Sequence, residues 1–313
     1  MAKILVTGGA GFIGSAMAQA LSRDKDNEVI IVDNLSTGFK GNIPSETNIA
    51  FIKADVNDYQ DLAGVFHAYR FDYVFHYAAL VGVLRTLEQP VNVLKDIDGI
   101  RNVLNLSKNT GVKRVYYASS SEVYGEPFEI PQNEKTTPLN SRLPYAIVKN
   151  VGEAYLRSFQ QEYDLDYTIF RFFNTYGPRQ SADFVISKFM KMAMADEDIT
   201  IYGDGEQTRT FCYIDDNVDA CTEIFKQNLY VNDVVNIGSE IEIPIKLLAK
   251  AILDVTGSAS TIKHLPPLEE GDMTRRRPDI TKMKKVLSRN LKPLNEGLQV
   301  IYEQLRSQSN VRN

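Results

Sequence analysis

The sequence is poor in the residues that build disulfide-linked or metal-centred proteins. It has two cysteines, Cys212 and Cys221, among 313 residues. Two are too few for a disulfide framework, and this favours a reducing compartment. The three histidines, His67, His76 and His264, lie far apart in the chain. Since metal ligands commonly recur at short spacings, the sequence predicts no metal site.

The chain also lacks the features of membrane and nucleic-acid-binding proteins. No apolar run reaches about 18 residues, the length that a membrane-spanning helix needs. Lys and Arg number 35 against 40 Asp and Glu, a formal net charge of −5, which argues against binding to nucleic acids. Glycines interrupt the apolar N-terminus over residues 8–14, where a secretory signal would be continuously apolar. We therefore predict a cytoplasmic protein with no membrane partner.

Short β-branched runs alternate with helical patterns through the first half of the chain. The predicted strands cover residues 3–7, 29–33, 50–54, 73–76, 114–118 and 167–171. The predicted helices cover residues 13–21, 92–107 and 145–163. Apolar strands separated by helices are typical of βαβ units with helices on both faces of a parallel sheet. The sequence thus predicts an α/β protein with a doubly wound, Rossmann-type sheet.

The pattern changes after about residue 171. Loops rich in Gly, Asp and Arg are followed by a strand-like segment at 234–237, and two or three helices occupy the last 70 residues. We predict that residues 1–173, together with about 210–240, form the Rossmann domain. Residues 174–209 and about 241–313 would form a smaller C-terminal α/β lobe.

A glycine-rich turn joins the first predicted strand to the first helix. Gly8, Gly11 and Gly14 have the spacing of a dinucleotide-binding turn, in which they permit the tight turn, the approach of a pyrophosphate and close helix packing. Asp33 ends the second strand, where a carboxylate accepts ribose hydroxyls and repels a 2′-phosphate. The pattern therefore predicts a dinucleotide site that favours NAD over NADP. Asp55, at the end of the third strand, is a candidate adenine contact or an ordinary loop residue.

Tyr145 and Lys149 are spaced to share one helix face. A phenol normally has a pKa near 10, and we expect the ammonium and a positive nicotinamide ring to lower it. Such a tyrosine can take the proton of a sugar hydroxyl during hydride transfer. The spacing alone is weak, because a solvated helix face also produces it. Here it follows three serines, residues 119–121, whose hydroxyls can contact the same substrate oxygen.

These motifs together resemble the extended short-chain dehydrogenase/reductases that act on nucleotide sugars. The resemblance covers nearly the whole chain and is carried by TGGAGFIG at 7–14, DNLSTG at 33–38, HYAA at 76–79, ASSSEVYG at 118–125, YAIVK at 145–149, RFFNTYGPR at 171–179 and GDGEQTRTFCYIDD at 203–216. It implies an NAD-dependent enzyme whose C-terminal lobe binds the nucleotide-sugar substrate.

The resemblance also implies roles for individual residues. The implied catalytic group is Ser120, Tyr145 and Lys149. The implied substrate contacts are Ser120, Ser121, Asn174, Arg179, Arg209 and Arg276. The implied cofactor contacts are Gly8, Gly11, Phe12, Ile13, Gly14, Asp33, Asn34, Ser36, Thr37, Gly38, Asp55, Val56, Tyr77, Ala78, Ala79, Tyr145, Lys149 and Phe172. Independently, arginines concentrated in the second lobe suit bidentate phosphate binding, although residues 275–277 could instead be a solvated charge run.

The family's shared step is oxidation of the sugar at C4 by NAD, and the later fate of the 4-ketone distinguishes its members. An epimerase returns the hydride to the other face, a uronate decarboxylase loses CO2, and a 4,6-dehydratase removes water. Ser121 stands where dTDP-glucose dehydratases have an acid, and their elimination needs both an acid and a base. The pair Ser121-Glu122 resembles the same place in uronate decarboxylases and GDP-mannose dehydratases. Residues 125–134 also resemble GDP-mannose dehydratases. We take Glu122 as a catalytic candidate, with a purely structural turn contact as the alternative.

Several segments point to different members. Residues 211–216 and 276–280 are similar to decarboxylases, in which Arg276 matches a catalytic arginine. Residues 76–83 look epimerase-like and lack the Pro-rich stretch of decarboxylases, and Asp96 stands where the family commonly has Asn. On the breadth of the resemblance we predict a nucleotide-sugar 4-epimerase, then a UDP-glucuronate decarboxylase, then a 4,6-dehydratase. The non-enzymatic alternative is an NAD-binding redox sensor, which would not need the Ser-Tyr-Lys set.

Two predicted helical segments, near 92–108 and 150–163, carry apolar positions beyond one stripe. In the family this pair often forms the four-helix bundle of a dimer, so the resemblance implies a homodimer. The alternative is that these apolar positions are buried within one chain.

Overall fold

The computed structural model describes residues 1–126, 128–267 and 275–311. Its strands are β1 (Ala2–Thr7), β2 (Asn27–Asp33), β3 (Ile49–Lys53), β4 (Tyr73–His76), β5 (Arg114–Ser120), β6 (Asp166–Phe172), β7 (Thr175–Tyr176), β8 (Ile199–Tyr202), β9 (Thr208–Thr210), β10 (Cys212–Tyr213), β11 (Asp233–Ile237), β12 (Glu242–Pro244) and β13 (Ile262–Leu265). Its helices are α1 (Phe12–Leu21), α2 (Tyr59–Tyr69), α3 (Val83–Glu88), α4 (Pro90–Leu94), α5 (Asp96–Thr110), α6 (Pro144–Tyr163), α7 (Val185–Met194), α8 (Ile214–Lys226), α9 (Ile245–Thr256), α10 (Thr281–Val286) and α11 (Leu294–Val311).

Seven parallel strands form the central sheet, in the order β3-β2-β1-β4-β5-β6-β11. The direction of winding reverses between β1 and β4, where Thr7 is in register with His76. In such sheets a crevice opens beyond the carboxyl ends of the strands at this point of reversal. The predicted doubly wound α/β fold is confirmed.

Apolar side chains bury both faces of the sheet. One face packs on α1 and α8, with Met17 and Val218 in its core. The other face packs on α2, α5 and α6, with Leu62, Val103 and Leu156 in its core. Strands covered on both sides need nearly continuous apolar residues, which explains why their positions can be predicted from the sequence. Among the described helices, none combines the length and the apolar character that a bilayer crossing requires.

One predicted helix is divided. The prediction for residues 92–107 was a single helix, but α4 ends at Leu94 and α5 begins at Asp96. The Asp96 carboxylate accepts a hydrogen bond from the Leu80 backbone N–H, at 2.7 Å. This contact ties the start of α5 to a segment outside the helix, and helical periodicity does not reveal it.

The chain beyond β6 builds smaller sheets before and after it returns to the main sheet at β11. Strands β8 and β13 pair in parallel, and β9 pairs with β12 antiparallel. Helices α7 and α9 contribute Phe189 and Leu248 to the core beside them. The division into two lobes at the boundaries given above stays a prediction.

A buried ion pair joins α6 to the sheet beside the crevice. Arg171 on β6 donates from Nε and Nη2 to the two Glu153 carboxylate oxygens, at 2.9 and 2.7 Å. Ser119 on β5 donates to the same carboxylate at 2.7 Å, and Arg171 Nη1 donates to the Tyr124 hydroxyl at 2.8 Å. Arg157 reaches the carboxylate from the surface at 3.0 Å. These bonds hold one face of α6 against β5 and β6.

Arg171→Gln should lower the free energy of unfolding by about 3–5 kcal/mol, since it leaves the Glu153 carboxylate buried without its main partner. The matched control is Arg157→Gln. The Arg157 side chain is 44% exposed, so its loss should cost about 1 kcal/mol or less. Chemical denaturation measures both, and equal losses for the two variants would contradict the central role of the buried pair.

Candidate active site

A cleft of about 790 Å³ opens at the carboxyl ends of the central strands. Its walls come from the β1–α1 turn, the ends of β2 to β6 and the first turns of α6. This is the place that the reversal of winding provides for a ligand.

The β1–α1 turn forms one end of the cleft. Gly8 has a positive φ of 68°, and its N–H donates to the Val32 carbonyl at 2.8 Å. A Cβ on Gly14 would stand 2.2 Å from the Gly8 carbonyl oxygen, so only glycine allows α1 to pack this close. The N–H groups of the first turn of α1 are left for an anionic ligand. A pyrophosphate group therefore fits this turn.

Asp33 lies at the end of β2, where the cleft begins. Its carboxylate accepts N–H bonds from Ala10, at 3.0 Å, and from Leu35, at 2.8 Å. Each oxygen keeps a second lone pair, as ribose hydroxyls require. Asp55 accepts a bond from the Asn34 side chain at 3.0 Å, which ties the ends of β2 and β3 together. The residues present thus fit the adenosine half of NAD.

The Ser-Tyr-Lys set meets in the middle of the cleft. Tyr145 and Lys149 face the end of β5, and Ser120 lines the same wall of the cleft. The buried Lys149 donates to the Ala118 carbonyl at 2.7 Å. Its ammonium lies 5.7 Å from the centre of the Tyr145 ring. The structure therefore brings the three residues to one wall.

The protein groups shift the pKa values of this wall mainly by burial. Desolvation and the Glu122 carboxylate raise the pKa of Tyr145, while Ser120 and Arg276 oppose the rise. Burial lowers the pKa of Lys149 to about 8 and, with the Lys149 charge, that of His76 to about 3. The expected lowering of the Tyr145 pKa therefore does not follow from the protein alone. Desolvation outweighs the nearby positive charges.

A second charged pair stands beside the tyrosine. Arg276 Nη1 lies 2.7 Å from Glu122 Oε1 and 3.5 Å from the Ser121 hydroxyl. Arg276 is only 4% exposed. Glu122 Oε2 is buried with no hydrogen-bond partner among the described residues. Desolvating two charges at the wall of a cleft is costly, so a functional role is one explanation for this pair.

The three arginines at residues 275–277 lie in two different environments. Arg275 pairs with Glu242 at 2.7 Å, and Arg277 approaches the same carboxylate at 3.8 Å. Arg276 alone enters the cleft. The interpretation of the run as a solvated surface is therefore wrong for Arg276.

Most of the predicted contacts line the cleft. Those that do are Gly8, Gly11, Phe12, Ile13, Gly14, Asp33, Asn34, Ser36, Thr37, Asp55, Val56, Tyr77, Ala78, Ala79, Ser120, Ser121, Glu122, Tyr145, Lys149, Phe172, Asn174 and Arg276. Their roles as ligand contacts stay predictions.

Three predicted contacts lie away from the lining of the cleft. Gly38 packs behind Asp33, where a Cβ would meet a carboxylate oxygen at 2.8 Å. Arg179 lines a separate pocket between α1 and α8 and donates to the Asn42 carbonyl at 3.4 Å. Arg209 donates to the neighbouring Thr208 carbonyl at 2.8 Å. Their predicted roles remain untested.

Sequence reasoning assigns no role to two features of the lining. Asp96 faces the cleft from the start of α5. Arg85 on α3 pairs with Asp183, before α7, at 2.8 Å, which links two segments at the edge of the cleft. No local spacing signals a pair that is 98 residues apart in the chain.

Comparisons of the sequence and of the structure with known proteins agree on one family. The model of the NAD dependent epimerase/dehydratase family matches residues 4–238. UDP-N-acetyl-alpha-D-glucosaminuronate decarboxylase of Bacillus cytotoxicus is 35% identical over 305 residues, 91% of each chain. The crystal structure of a UDP-glucose 4-epimerase with UDP-glucose from Thermotoga maritima has a TM-score of 0.92 and 34% identity, covering 98% of this chain and 99% of that one. The complex of Thermus thermophilus UDP-glucose 4-epimerase with NAD has a TM-score of 0.90 and 29% identity, covering 97% and 99%.

Gly14→Ala should abolish cofactor binding and lower the free energy of unfolding by about 1–3 kcal/mol, because the added Cβ collides with backbone. The matched control is Gly64→Ala on α2, where a Cβ meets nothing within 4 Å. That change should raise stability by up to about 1 kcal/mol. Denaturation and calorimetric NAD+ titration measure both effects. Normal NAD+ affinity in the Gly14 variant would refute the role of the turn.

Asp33→Asn should weaken NAD+ binding about tenfold, through loss of a charged acceptor, and reduce the discrimination against NADP+. Asp55→Asn provides the comparison, since this residue should affect both dinucleotides alike. Titration calorimetry with NAD+ and NADP+ measures the two affinities. An unchanged affinity ratio in the Asp33 variant would show that another group selects the cofactor.

Proposed function

The chain belongs to the NAD-dependent epimerase/dehydratase family and uses NAD as its cofactor, and we propose that it is a UDP-uronate decarboxylase. In this reaction a UDP-linked uronic acid is oxidised at C4 and then loses its C6 carboxylate as CO2. The sequence placed this reaction second to 4-epimerisation. The buried pair beside Tyr145 reverses that order.

The observation that carries the proposal is the Arg276–Glu122 ion pair. A 4-epimerase has to oxidise C4, let the sugar turn and return the hydride, and none of these steps needs a charged pair. A uronate places a carboxylate on C5, next to the reacting carbon. A buried guanidinium at the same wall as Tyr145 is suited to bind that carboxylate. The relative from Bacillus cytotoxicus, a decarboxylase of a UDP-linked uronate, supports the same reaction.

The residues of the wall divide the chemistry between them. Bound NAD+, held by the Gly8–Gly14 turn and by Asp33, supplies the hydride acceptor. The Tyr145 oxygen takes the proton of the C4 hydroxyl, and the Ser120 hydroxyl holds the same oxygen. The charges of Lys149 and Arg276 favour the phenolate during this transfer.

The second half of the reaction uses the neutral phenol. The bond between C5 and the carboxylate breaks, CO2 leaves, and the electron pair moves toward the C4 oxygen. Since desolvation raises the pKa of Tyr145, the phenol holds a proton with which to stabilise that oxygen. A proton from solvent then replaces the lost group at C5. Return of the hydride to C4, with the Tyr145 proton going to the C4 oxygen, would restore the alcohol and the oxidised cofactor, so no external oxidant is consumed. The Glu122 carboxylate pairs with Arg276 and so orients the guanidinium at this wall.

The second candidate is the 4-epimerase, which shares the first oxidation. It is favoured by the likeness to the Thermotoga maritima enzyme, whose structure holds UDP-glucose. A 4,6-dehydratase is less favoured, since Ser121 offers no acid. The proposal retains a homodimer in the reducing cytoplasm, consistent with the free, buried thiols of Cys212 and Cys221.

Incubation with NAD+ and either UDP-glucuronate or its N-acetylated uronate counterpart should release CO2, as detected by mass spectrometry of the product. Arg276→Gln should slow this release about a hundredfold, the equivalent of nearly 3 kcal/mol, because the substrate carboxylate loses its partner. Arg277→Gln, which removes the neighbouring partly exposed arginine, is the matched control. Tyr145→Phe should stop turnover while NAD+ still binds.

The alternatives give different products in the same assay. An isobaric product from UDP-glucose or UDP-GlcNAc, with no CO2 from either uronate, would replace the proposal with the epimerase. Loss of water would indicate a dehydratase. Full turnover by Tyr145→Phe would defeat the catalytic assignment itself.

A further inference from the structure

Asn236 on β11 carries an amide that the proposed reaction does not use. The residue is fully buried, and it lies in register with Arg171 of β6 in the central sheet. Its Oδ1 accepts a hydrogen bond from the Tyr124 hydroxyl at 2.8 Å. Its Nδ2 donates to the carbonyls of Gln132, at 2.9 Å, and Asp279, at 3.2 Å. One amide thus bonds three different segments of the chain.

The first of these bonds holds the turn that carries Glu122. Tyr124 ends the 3-10 turn Ser121–Tyr124, and Glu122 lies within that turn. The Tyr124 hydroxyl also accepts a bond from Arg171 Nη1 at 2.8 Å. Since the hydroxyl donates to Asn236 and accepts from Arg171, the turn is bonded to two neighbouring strands of the sheet.

The other two bonds hold the segment that carries Arg276. Gln132 pairs with this segment through its backbone: its N–H donates to the Arg277 carbonyl and its carbonyl accepts the Asp279 N–H, both at 2.8 Å. The Asn236 amide donates to the carbonyls of Gln132 and Asp279 themselves. The backbone that follows Arg276 is therefore bonded to the sheet through this amide.

The two segments meet at the Arg276–Glu122 pair. Arg276 Nη1 lies 2.7 Å from Glu122 Oε1. Glu122 stands two residues before Tyr124 in the chain, and Arg276 stands three residues before Asp279. Because a buried polar group left without its partner is costly, the Asn236 amide keeps both segments at hydrogen-bonding distance from the same point of the sheet.

We propose that Asn236 is a positioning residue for the substrate carboxylate, which holds Arg276 and Glu122 at the spacing that directs the guanidinium into the cleft. The inference rests on the proposed function, because it takes Arg276 to bind a uronate. Asn236 lies outside the cleft lining that the structure describes, so it acts through Arg276. Its loss should weaken the binding of the C6 carboxylate and spare the rest of the substrate.

Asn236→Leu removes every bond of the amide and keeps a side chain of similar shape. The matched control is Asn102→Leu on α5. Asn102 is only 6% exposed, and its Nδ2 donates to the carbonyls of Val56 and Asn57, both at 3.1 Å. Each change leaves two carbonyls without a donor, so both should destabilise the protein to a similar extent. A difference in ligand binding then reports the connection to Arg276.

The test is calorimetric titration of UDP-glucuronate and of UDP-glucose into the full-length protein saturated with NADH. NADH accepts no hydride, so neither sugar is oxidised at C4. The two ligands differ only at C6, where one has a carboxylate and the other a hydroxymethyl group. Asn236→Leu should weaken the binding of UDP-glucuronate about tenfold, the equivalent of about 1.4 kcal/mol, and leave that of UDP-glucose unchanged. Asn102→Leu should leave the ratio of the two affinities unchanged.

Combined variants show whether the effect passes through the guanidinium. Arg276→Gln alone should lower the affinity ratio at least as much as Asn236→Leu, and adding Asn236→Leu to it should cause no further loss. A merely structural residue would weaken the binding of both sugars alike. If Asn236→Leu does not fold, Tyr124→Phe, which removes the hydroxyl and keeps the ring, should lower the same ratio about threefold.

The outcomes separate the inference from the proposed function. An unchanged ratio in Asn236→Leu, or in Tyr124→Phe where that variant replaces it, overturns the inference while the proposed function stands. The same holds if Asn102→Leu lowers the ratio equally, or if Asn236→Leu lowers it as much without Arg276 as with it. An unchanged ratio in Arg276→Gln overturns both, because the guanidinium then does not bind the carboxylate.

Discussion

The bidentate contact between Arg171 and Glu153 is the constraint on which the arrangement of the cleft depends. Tyr145, Lys149 and Glu153 follow one another at intervals of four residues on α6 and so share one face. Because Glu153 is bonded to both β5 and β6, that face cannot rotate away from the ends of the strands. Gly152 strengthens the constraint, since a Cβ there would stand 2.3 Å from the Tyr117 hydroxyl oxygen. Tyr145 and Lys149 face the cleft because Glu153, further along the same helix face, is held in the interior.

Burial then gives the site its electrostatic character. Desolvation shifts each of three groups toward its neutral form: the Tyr145 phenol, the Lys149 amine and the His76 imidazole. Nearby charges on other elements of the fold oppose part of these shifts. Arg276 lowers the pKa of Tyr145, and Asp96 raises that of Lys149. A phenol that has to give and take a proton needs such a balance, since strong stabilisation of either form would stop one half of the reaction.

Local pattern was sufficient to predict much of the fold and the cofactor half of the cleft. Strands buried on both faces are short apolar runs, and the Gly8–Gly14 turn has a steric reason for each glycine, so both can be identified from neighbouring residues. Other features depend on contacts between distant segments. The Leu80 N–H donates to Asp96 at the start of α5, and Arg276 reaches Glu122 from the far end of the chain. The raised pKa of Tyr145 also depends on distant segments, because the desolvation that causes it comes from all the residues packed around the phenol.

The residues proposed for the step that the whole family shares lie on different elements from those that would distinguish its members. The residues proposed for hydride transfer at C4 are the glycine turn, Asp33 and the Ser-Tyr-Lys set, all on elements of the parallel sheet and α6. In the proposed decarboxylation, the group at C5 would face a different pair, with Glu122 on the 3-10 turn after β5 and Arg276 on a segment before α10. Neither residue is part of the Arg171–Glu153 contact or of the glycine turn. Relatives of nearly equal identity carry names of different reactions, as the proposal expects if a few side chains near C5 decide the fate of a common ketone.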